Sequence, residues 1–379
     1  MPPKAHAILS ASSSHRWLNC PPSARLCETY EDKGSDYAAE GTDAHSLCEY
    51  KLRKALDMSA VDPSEHLTWY SEEMEDCANG YAAYILELVE AAKETCAAPV
   101  VLIEQRVDFS RWVEQGFGTS DAIIISDGTL RVIDYKHGLG VLVEADNNPQ
   151  MMCYALGALE LFDAIYDIDS VAMTVYQPRR QNVSTFEMSK DDLYRWAEEV
   201  LKPTAELAFA GDGNFLCGEW CGFCKAKHEC RARAEANLLL AQYDFKLPPL
   251  LEDSEIEVIL SRADQLVSWV NDIKEYALQQ AISGKDWTGF KLVEGRSNRR
   301  YTNEAAVTQV VTNASFDPYE RKLLGITAMQ KLLGKSRFEE LLSAYIEKPQ
   351  GKPTLVPESD KRPVMNNAKT DFMEENDYE

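Results

Sequence analysis

GTSDAIIISDGTLRVIDYKHG, residues 118–138, decides the fold. Asp127-Gly128 separates two runs rich in β-branched residues, the pattern of a tight hairpin. Pairing Ser126 with Thr129 across that turn sets Ile125 opposite Leu130, Ile123 opposite Val132 and Asp121 opposite Asp134, because paired positions keep a constant sum. The two carboxylates then face each other with Cβ atoms about 4.5–5.5 Å apart. Bare anions repel at that distance, and a cation between them removes the penalty. Lys136 follows Asp134 by two residues on the same face, so its ammonium stands beside whatever the carboxylates hold. The remaining residues of that face, Ile123, Ile125, Leu130 and Val132, are core-like, and unpaired charge among them is costly. Hard oxygen ligands with open positions suit Mg²⁺ or Mn²⁺, which lower the pKa of a bound water and neutralise charge on a phosphodiester.

Outward from the hairpin the periodicity alternates between helix and strand. Helices are expected over 43–56 and 71–96, the second with Tyr81, Tyr84, Ile85, Leu88 and Val89 on its apolar stripe. A strand follows over 100–109 and carries Glu104, a further candidate carboxylate. Beyond the hairpin a helix opens at Pro149, with Asn148 as N-cap, and places Gln150 and Tyr154 one turn apart on one face. Strand 171–177 and helix 190–208 complete a mixed α/β core.

The 379 residues suit two domains, and 45% hydrophobic with 27% charged residues describes an ordinary globular chain. Against 39 basic residues stand 62 acidic ones, a net charge of -23, which argues against nonspecific coating of a polyanion. A cation-filled carboxylate site or a local basic groove still binds phosphate. No apolar run reaches membrane-spanning length, and MPPKAHAILSASSSHRW lacks the apolar core of a secretion signal, so a cytoplasmic protein without membrane contact is expected.

In chain order these residues resemble the RecB-like branch of the PD-(D/E)XK nucleases. His45 in EGTDAH stands at that family's helix histidine, Asp121 at its first acid, Asp134 and Lys136 in VIDYKHG at its acid-x-lysine strand, and Gln150 with Tyr154 at its helical pair. The resemblance implies a restriction-endonuclease-like core of mixed sheet flanked by helices, cleaving nucleic acid with a metal. Asp121, Asp134, the Tyr135 carbonyl and His45 would be the ligands. Three departures stand out: no Pro precedes Asp121, Ala122 and Ile123 replace the usual Arg and second acid, and His137 replaces a more usual Thr.

Cys217, Cys221, Cys224 and Cys230 put four cysteines into fourteen residues. A compact reading makes them a tetrahedral Zn²⁺ site with His228 in reserve. A long-range reading exchanges Cys217 for Cys20. One early cysteine followed by C-x2-C-x5-C after the core resembles the iron–sulfur nucleases, namely the AddB-type helicase–nuclease subunits and the CRISPR adaptation nucleases. That resemblance implies a 4Fe-4S cluster on Cys20, Cys221, Cys224 and Cys230, clamping the N-terminal arm to the far side of the core. Cys27, Cys48, Cys77, Cys96 and Cys153 read as small core residues.

Arg16, Arg179 and Arg180, with Arg25, Arg231 and Arg233, are candidates for a DNA-binding channel, and Trp17, Tyr176 and Trp220 for stacking on bases. Gly334-Lys335-Ser336 looks like the end of a phosphate-binding loop, but Met329 occupies the position of its first glycine, which excludes an ATP site. The expected domains are a nuclease domain over 1–240, a helix-rich domain over 247–347 and an extended tail over 348–379. Within the second domain, helices are expected at 253–283 and 318–345 around a strand pair at 290–302. Segments GFKLVEGRSNRRY and PQGKPTLVPESDKRP resemble an uncharacterised phage and prophage family across nearly the whole chain. The expected activity is exonucleolytic hydrolysis of DNA ends, beside phage recombination proteins. Two other readings stay open: a non-catalytic DNA-binding accessory protein, and a zinc-stapled interaction module.

Overall fold

The hairpin folds as its alternation dictates. In the computed structural model, which describes residues 7–31, 34–94, 96–126, 128–239, 251–293, 301–319 and 323–347, Ser126 pairs with Thr129, Ile125 with Leu130 and Ile123 with Val132. Gly128 takes φ 72, the left-handed geometry that a tight turn needs and glycine adopts freely. Asp127 lies outside the described residues.

Five strands form one mixed sheet in the order β1 (Val100–Asp108), β2 (Phe117–Ser126), β3 (Gly128–Tyr135), β4 (Ile168–Gln177), β5 (Asn182–Ser189). Only β3 and β4 run parallel, joined through helix Pro149–Phe162; the other neighbours are antiparallel. Period-2 alternation splits the hairpin between two cores. Ile123, Ile125, Leu130 and Val132 face Met151, Leu156 and their neighbours on that crossover helix. Ala122, Ile124, Ile133 and Tyr135 face Leu47 and Leu52 on helix Asp36–Ala55 and Tyr81 and Ile85 on helix Glu72–Lys93. The result is a sheet covered by helices on both faces.

We number the helices α1 (Ser14–Asn19), α2 (Ser23–Glu28), α3 (Asp36–Ala55), α4 (Glu72–Lys93), α5 (Pro149–Phe162), α6 (Lys190–Trp196), α7 (Lys202–Ala210), α8 (Arg231–Leu238) and α9 (Asp253–Ile282). Ser35 caps α3 by accepting the Ala38 N–H at 3.1 Å, so the helix begins seven residues before the expected Asp43 and runs through Gly41. Asn148 caps α5 as anticipated, accepting from the Gln150 N–H at 3.0 Å with Pro149 in the first turn. Strand β5 was not foreseen. It is an edge strand whose residues alternate between half-buried and exposed, which leaves only a weak apolar signature.

One compact unit extends to Lys285, so α9 belongs with the sheet and not with a C-terminal domain as its sequence position suggested. Its Asp272 pairs with Arg233 of α8 at 2.6 Å and with Lys227 at 2.8 Å, a contact between residues far apart in sequence that no local pattern announces. The second unit, 286–379, holds α10 (Glu304–Asn313), α11 (Ile326–Leu333) and α12 (Lys335–Leu342) among its described residues. The expected long helix over 318–345 is broken at Gly334, φ 74, which ends α11, while Lys335 and Ser336 open α12. No strand occurs among the described residues of the stretch 290–302; residues 294–300, the linker 240–250 and the tail from 348 lie outside the description. No helix among the described residues is long and apolar enough to cross a membrane.

Candidate metal centre and cysteine site

Three acids lie in one row across three strands. Ile103 pairs with Ala122 and Gln105 with Ser120, which sets Glu104 opposite Asp121. Ala122 pairs with Ile133, one step before Asp121 and Asp134. There the β2–β3 pairing stops. Asp121 Oδ2 accepts the Tyr135 N–H at 2.6 Å, so its carboxylate, and not its backbone, reaches β3. This corrects the expectation of two carboxylates facing each other across a continued ladder: one oxygen of Asp121 is already bound to the neighbouring strand.

Alternation slips at the same row. Leu102 and Val107 pack on the α5 side of the sheet despite their odd spacing. Ile123 and Gly118 behave likewise, since a Cβ added to Gly118 would stand 2.5 Å from a Tyr154 ring carbon. Glu104 takes φ 51, a left-handed conformation that costs a residue with a Cβ and recurs at functional sites. Through this slip Glu104 and Asp121 meet His45, which arrives from α3 in the opposite layer. His45 Nδ1 lies 3.2 Å from Asp121 Oδ1. Among the described residues, His45, Glu104 and Asp121 form the one set of three such side chains whose ligand atoms all lie within 4.8 Å of one another.

Asp134 is 3% exposed. Its Oδ1 accepts from Gln150 Nε2 at 3.0 Å. Lys136 Nζ stands 2.9 Å from Oδ2 as an ion pair, but off the hydrogen-bond direction, and that buried oxygen keeps an unpaired acceptor. The ammonium donates to Gln150 Oε1 at 3.1 Å, and Gln150 Nε2 also donates to Tyr154 Oη at 3.2 Å. Gln150 therefore holds the lysine, the acid and the tyrosine together, as one turn of helix permits. Replacing Gly118 with alanine should drive Tyr154 off this amide and cost about 1–3 kcal/mol by overpacking, read as a lowered denaturation midpoint.

The electrostatics follow from burial and crowding. Burial lowers the His45 pKa, but the charge and hydrogen bond of Asp121, with Asp134 behind it, outweigh that and push it up to about 9. Burial and then the Asp121 charge push Glu104 up to about 7. Asp134 is raised by burial against the pull of Lys136, whereas for Lys136 the Asp134 charge outweighs burial and holds the ammonium on. The two carboxylates and the imidazole of His45, Glu104 and Asp121 match the oxygen-rich donor set of Mg²⁺ or Mn²⁺, whereas Asp134, paired with Lys136, lies outside that group of three.

Behind the centre, Tyr135 Oη meets His137 Nδ1 at 2.9 Å, His137 Nε2 lies 3.4 Å from Glu40, and Arg179 pairs with Glu40 at 3.0 Å and Glu73 at 3.2 Å. Arg179 thus braces α3 and α4 and does not line a channel. Glu40 and His45, five apart on α3, share no helix face, so the sequence carried no signal for this brace. Arg16 is likewise buried, donating to the Ser23 carbonyl at 2.7 Å, and Trp17 is fully enclosed, so neither meets DNA. Arg233 is buried against Asp272, and Arg25 donates to Glu28 and the Phe209 carbonyl. Of the three arginines first assigned to DNA, only Arg180 is exposed.

A small cavity is lined by Cys20, Cys221, Cys224 and Cys230, with Arg16 and Arg233 beside them. Cys217 donates to the Cys221 sulfur and pulls that thiol below its usual range. Cys27 is buried, as expected of a core residue, in a small apolar cluster with Cys224 and Ala226, its sulfur 3.7 Å from that of Cys224. A zinc ion with Zn–S of about 2.3 Å needs four sulfurs roughly 3.8 Å apart. No three cysteines among the described residues approach so closely together, so the compact zinc set is not drawn up around a single ion.

The fold and site together define a mixed α/β protein with a half-buried His–Glu–Asp group that could hold a metal ion and a separate thiol-lined cavity. The chain belongs to the family described as "Protein of unknown function (DUF2800)", which it matches over residues 6–363. It is also similar to a solved structure titled "Crystal structure of SSO0001", at 16% identity, covering 49% of this chain and 94% of that one with a TM-score of 0.23.

Proposed function

We propose that the protein is a Mg²⁺- or Mn²⁺-dependent deoxyribonuclease of the RecB-like PD-(D/E)XK type, an exonuclease acting on DNA ends in phage recombination or repair in the cytoplasm. One observation carries this reading: His45, Glu104 and Asp121 converge within 4.8 Å, beside a strand end that presents Asp134 and Lys136. His45, Glu104, Asp121 and Asp134 would hold the ion, with the Tyr135 carbonyl as a further oxygen. When bound, such an ion supplies a water of lowered pKa and neutralises phosphate charge. Lys136, held by Gln150, points its ammonium beside the acids and is placed to orient that water and to balance charge on the phosphoryl oxygens. Gln150 and Tyr154 keep Asp134 and Lys136 aligned.

The test is an assay of anaerobically purified protein on end-labelled single- and double-stranded DNA with Mn²⁺, Mg²⁺ or chelator. Metal-dependent shortening of the label supports the reading. Metal binding without cleavage selects a non-catalytic DNA-binding protein instead.

The protonation of the site sets a pH dependence. Below about pH 7 both His45 and Glu104 carry protons that a cation must displace, and His45 keeps its proton up to about pH 9. Mn²⁺ affinity should therefore rise between pH 6 and 9, by up to about tenfold per unit for each proton released. Calorimetry in buffers of different ionisation enthalpy measures the release; affinity independent of pH contradicts the ligand set.

A further inference from the structure

Around the thiol-lined cavity the sulfurs stand in pairs. Cys27 Sγ, in α2, lies 3.7 Å from Cys224 Sγ across 197 positions of chain, and the two residues are 7% and 9% exposed. Cys217 donates its S–H to the sulfur of Cys221 in the turn Glu219–Phe223. Among the described residues no third cysteine joins either pair closely enough to complete a site for one ion. Cys221 and Cys224 line the cavity, whereas Cys27 and Cys217 stand outside the lining, so each of these two lining thiols has its own partner behind it. For stability alone such pairing gains little, because S–H is a weak donor and sulfur a weak acceptor. It matters more for reactivity. The buried guanidinium groups of Arg16 and Arg233 stand at the same cavity, and positive charge there favours the thiolate, the form of cysteine that reacts.

We propose that these are two dithiol pairs which a peroxide closes as disulfides, Cys27 to Cys224 and Cys217 to Cys221, making the cavity a site of reversible oxidation. Within each pair the step balances. One thiolate sulfur attacks a peroxide oxygen, the O–O bond breaks, and the distal oxygen leaves with the proton that thiol gave up, as water when the oxidant is hydrogen peroxide. The second thiol then attacks the sulfenic acid: the S–S bond forms, the S–O bond breaks and water departs, so two electrons and two protons pass from the pair to the peroxide. For Cys27 and Cys224 the sulfurs need only close from 3.7 Å to about 2.05 Å. Half-buried Cys217 gives the oxidant access from the surface side. Cys221 and Cys224 cannot be disulfide sulfurs and metal ligands at once, so oxidation and metal binding at the cavity exclude each other. A Cys27–Cys224 disulfide closes nearly the same length of chain as a link from Cys20 to Cys221, and it therefore keeps the N-terminal helices fastened when no metal does. In reducing compartments disulfides of this kind are transient and redox-sensing. The chemistry needs no DNA and is independent of the nuclease reading.

The experiment exposes the full chain, purified without oxygen, to stoichiometric hydrogen peroxide, blocks the remaining thiols and digests the protein without reduction. Cleavage after Glu219 and after Phe223 separates Cys217, Cys221 and Cys224 for mass spectrometry. Peptides joined through Cys27–Cys224 and Cys217–Cys221 should form about tenfold or more faster than the thiols of Cys48, Cys96 and Cys153 are lost, and dithiothreitol should restore the four thiols. Iron or zinc carried by the protein should leave in step with the disulfides. Cys27→Ser should slow loss of the Cys224 thiol about tenfold or more while Cys217 and Cys221 close as in wild type. Cys224 joined to a cysteine other than Cys27, pairs oxidised no faster than Cys96, or Cys224 oxidation unchanged in Cys27→Ser each overturn the assignment. The wild-type peptide map decides by itself if the variant fails to fold, and it reads the same whether or not the protein cleaves DNA.

Discussion

Lys136→Ala is expected to slow Mn²⁺-dependent DNA cleavage by about 10²- to 10⁴-fold while leaving Mn²⁺ affinity within a few fold. The ammonium is a donor next to the acids, 2.9 Å from Asp134 Oδ2 and fixed by Gln150, and in the proposed site it touches water or phosphate but not the ion. Asp134→Asn should behave differently. It removes a ligand charge from a buried position, so both cleavage and Mn²⁺ affinity should fall, and Lys136 loses the partner that keeps it charged there. The split between a defect in turnover alone and one in binding as well distinguishes these roles from simple misfolding, which thermal denaturation of each variant monitors. Cleavage that survives both substitutions would remove the centre from the reaction.

The second large effect concerns the thiol-lined cavity. Protein purified without oxygen should carry iron and sulfide, with broad visible absorption, and Cys221→Ser should lose both and unfold on the order of 10 °C lower. Cys20 and Cys221 lie on segments two hundred residues apart in the chain, and a cluster joining them restrains a very long loop of the unfolded state. The N-terminal helices α1 and α2 also pack on α7 and the turn Glu219–Phe223, so losing the cluster loosens a contact surface and not a single bond. Cys96→Ser, remote from the cavity, is the control. Cys27→Ser should keep its iron if the four cavity cysteines are the ligands, and should lose it if Cys27 is one of them. One zinc per chain and no iron would overturn the cluster.

The hairpin shows how far local chemistry reaches. Asp127-Gly128 and the flanking β-branched runs were enough to place Ser126 on Thr129 and, by counting, Ala122 on Ile133, but not to show that the ladder stops there, one step before Asp121 and Asp134. The Asn148-Pro149 cap likewise announced α5 and put Gln150 and Tyr154 on one face. Glu104 was legible as a strand residue, but its φ of 51 and its arrival beside His45 were not, because strict alternation is what sequence reasoning assumes and this row departs from it. The α3 start was missed because Gly41 reads as a breaker, whereas packing of Ala44, Leu47 and Leu52 against the sheet outweighs one glycine's propensity.

By itself, then, the order of residues determined the turn, the strand register and the helix faces, since each depends on neighbours a few positions apart along the chain. Only the tertiary structure decided that Arg16 and Arg179 are internal braces, that Cys27 stands against Cys224, that α9 belongs to the sheet's unit, and that His45 crosses from the other layer to the acids. Those outcomes depend on which side chains meet after distant segments pack, and burial, which turns a surface arginine into a brace and raises the pKa of an acid, is a property of the packed whole.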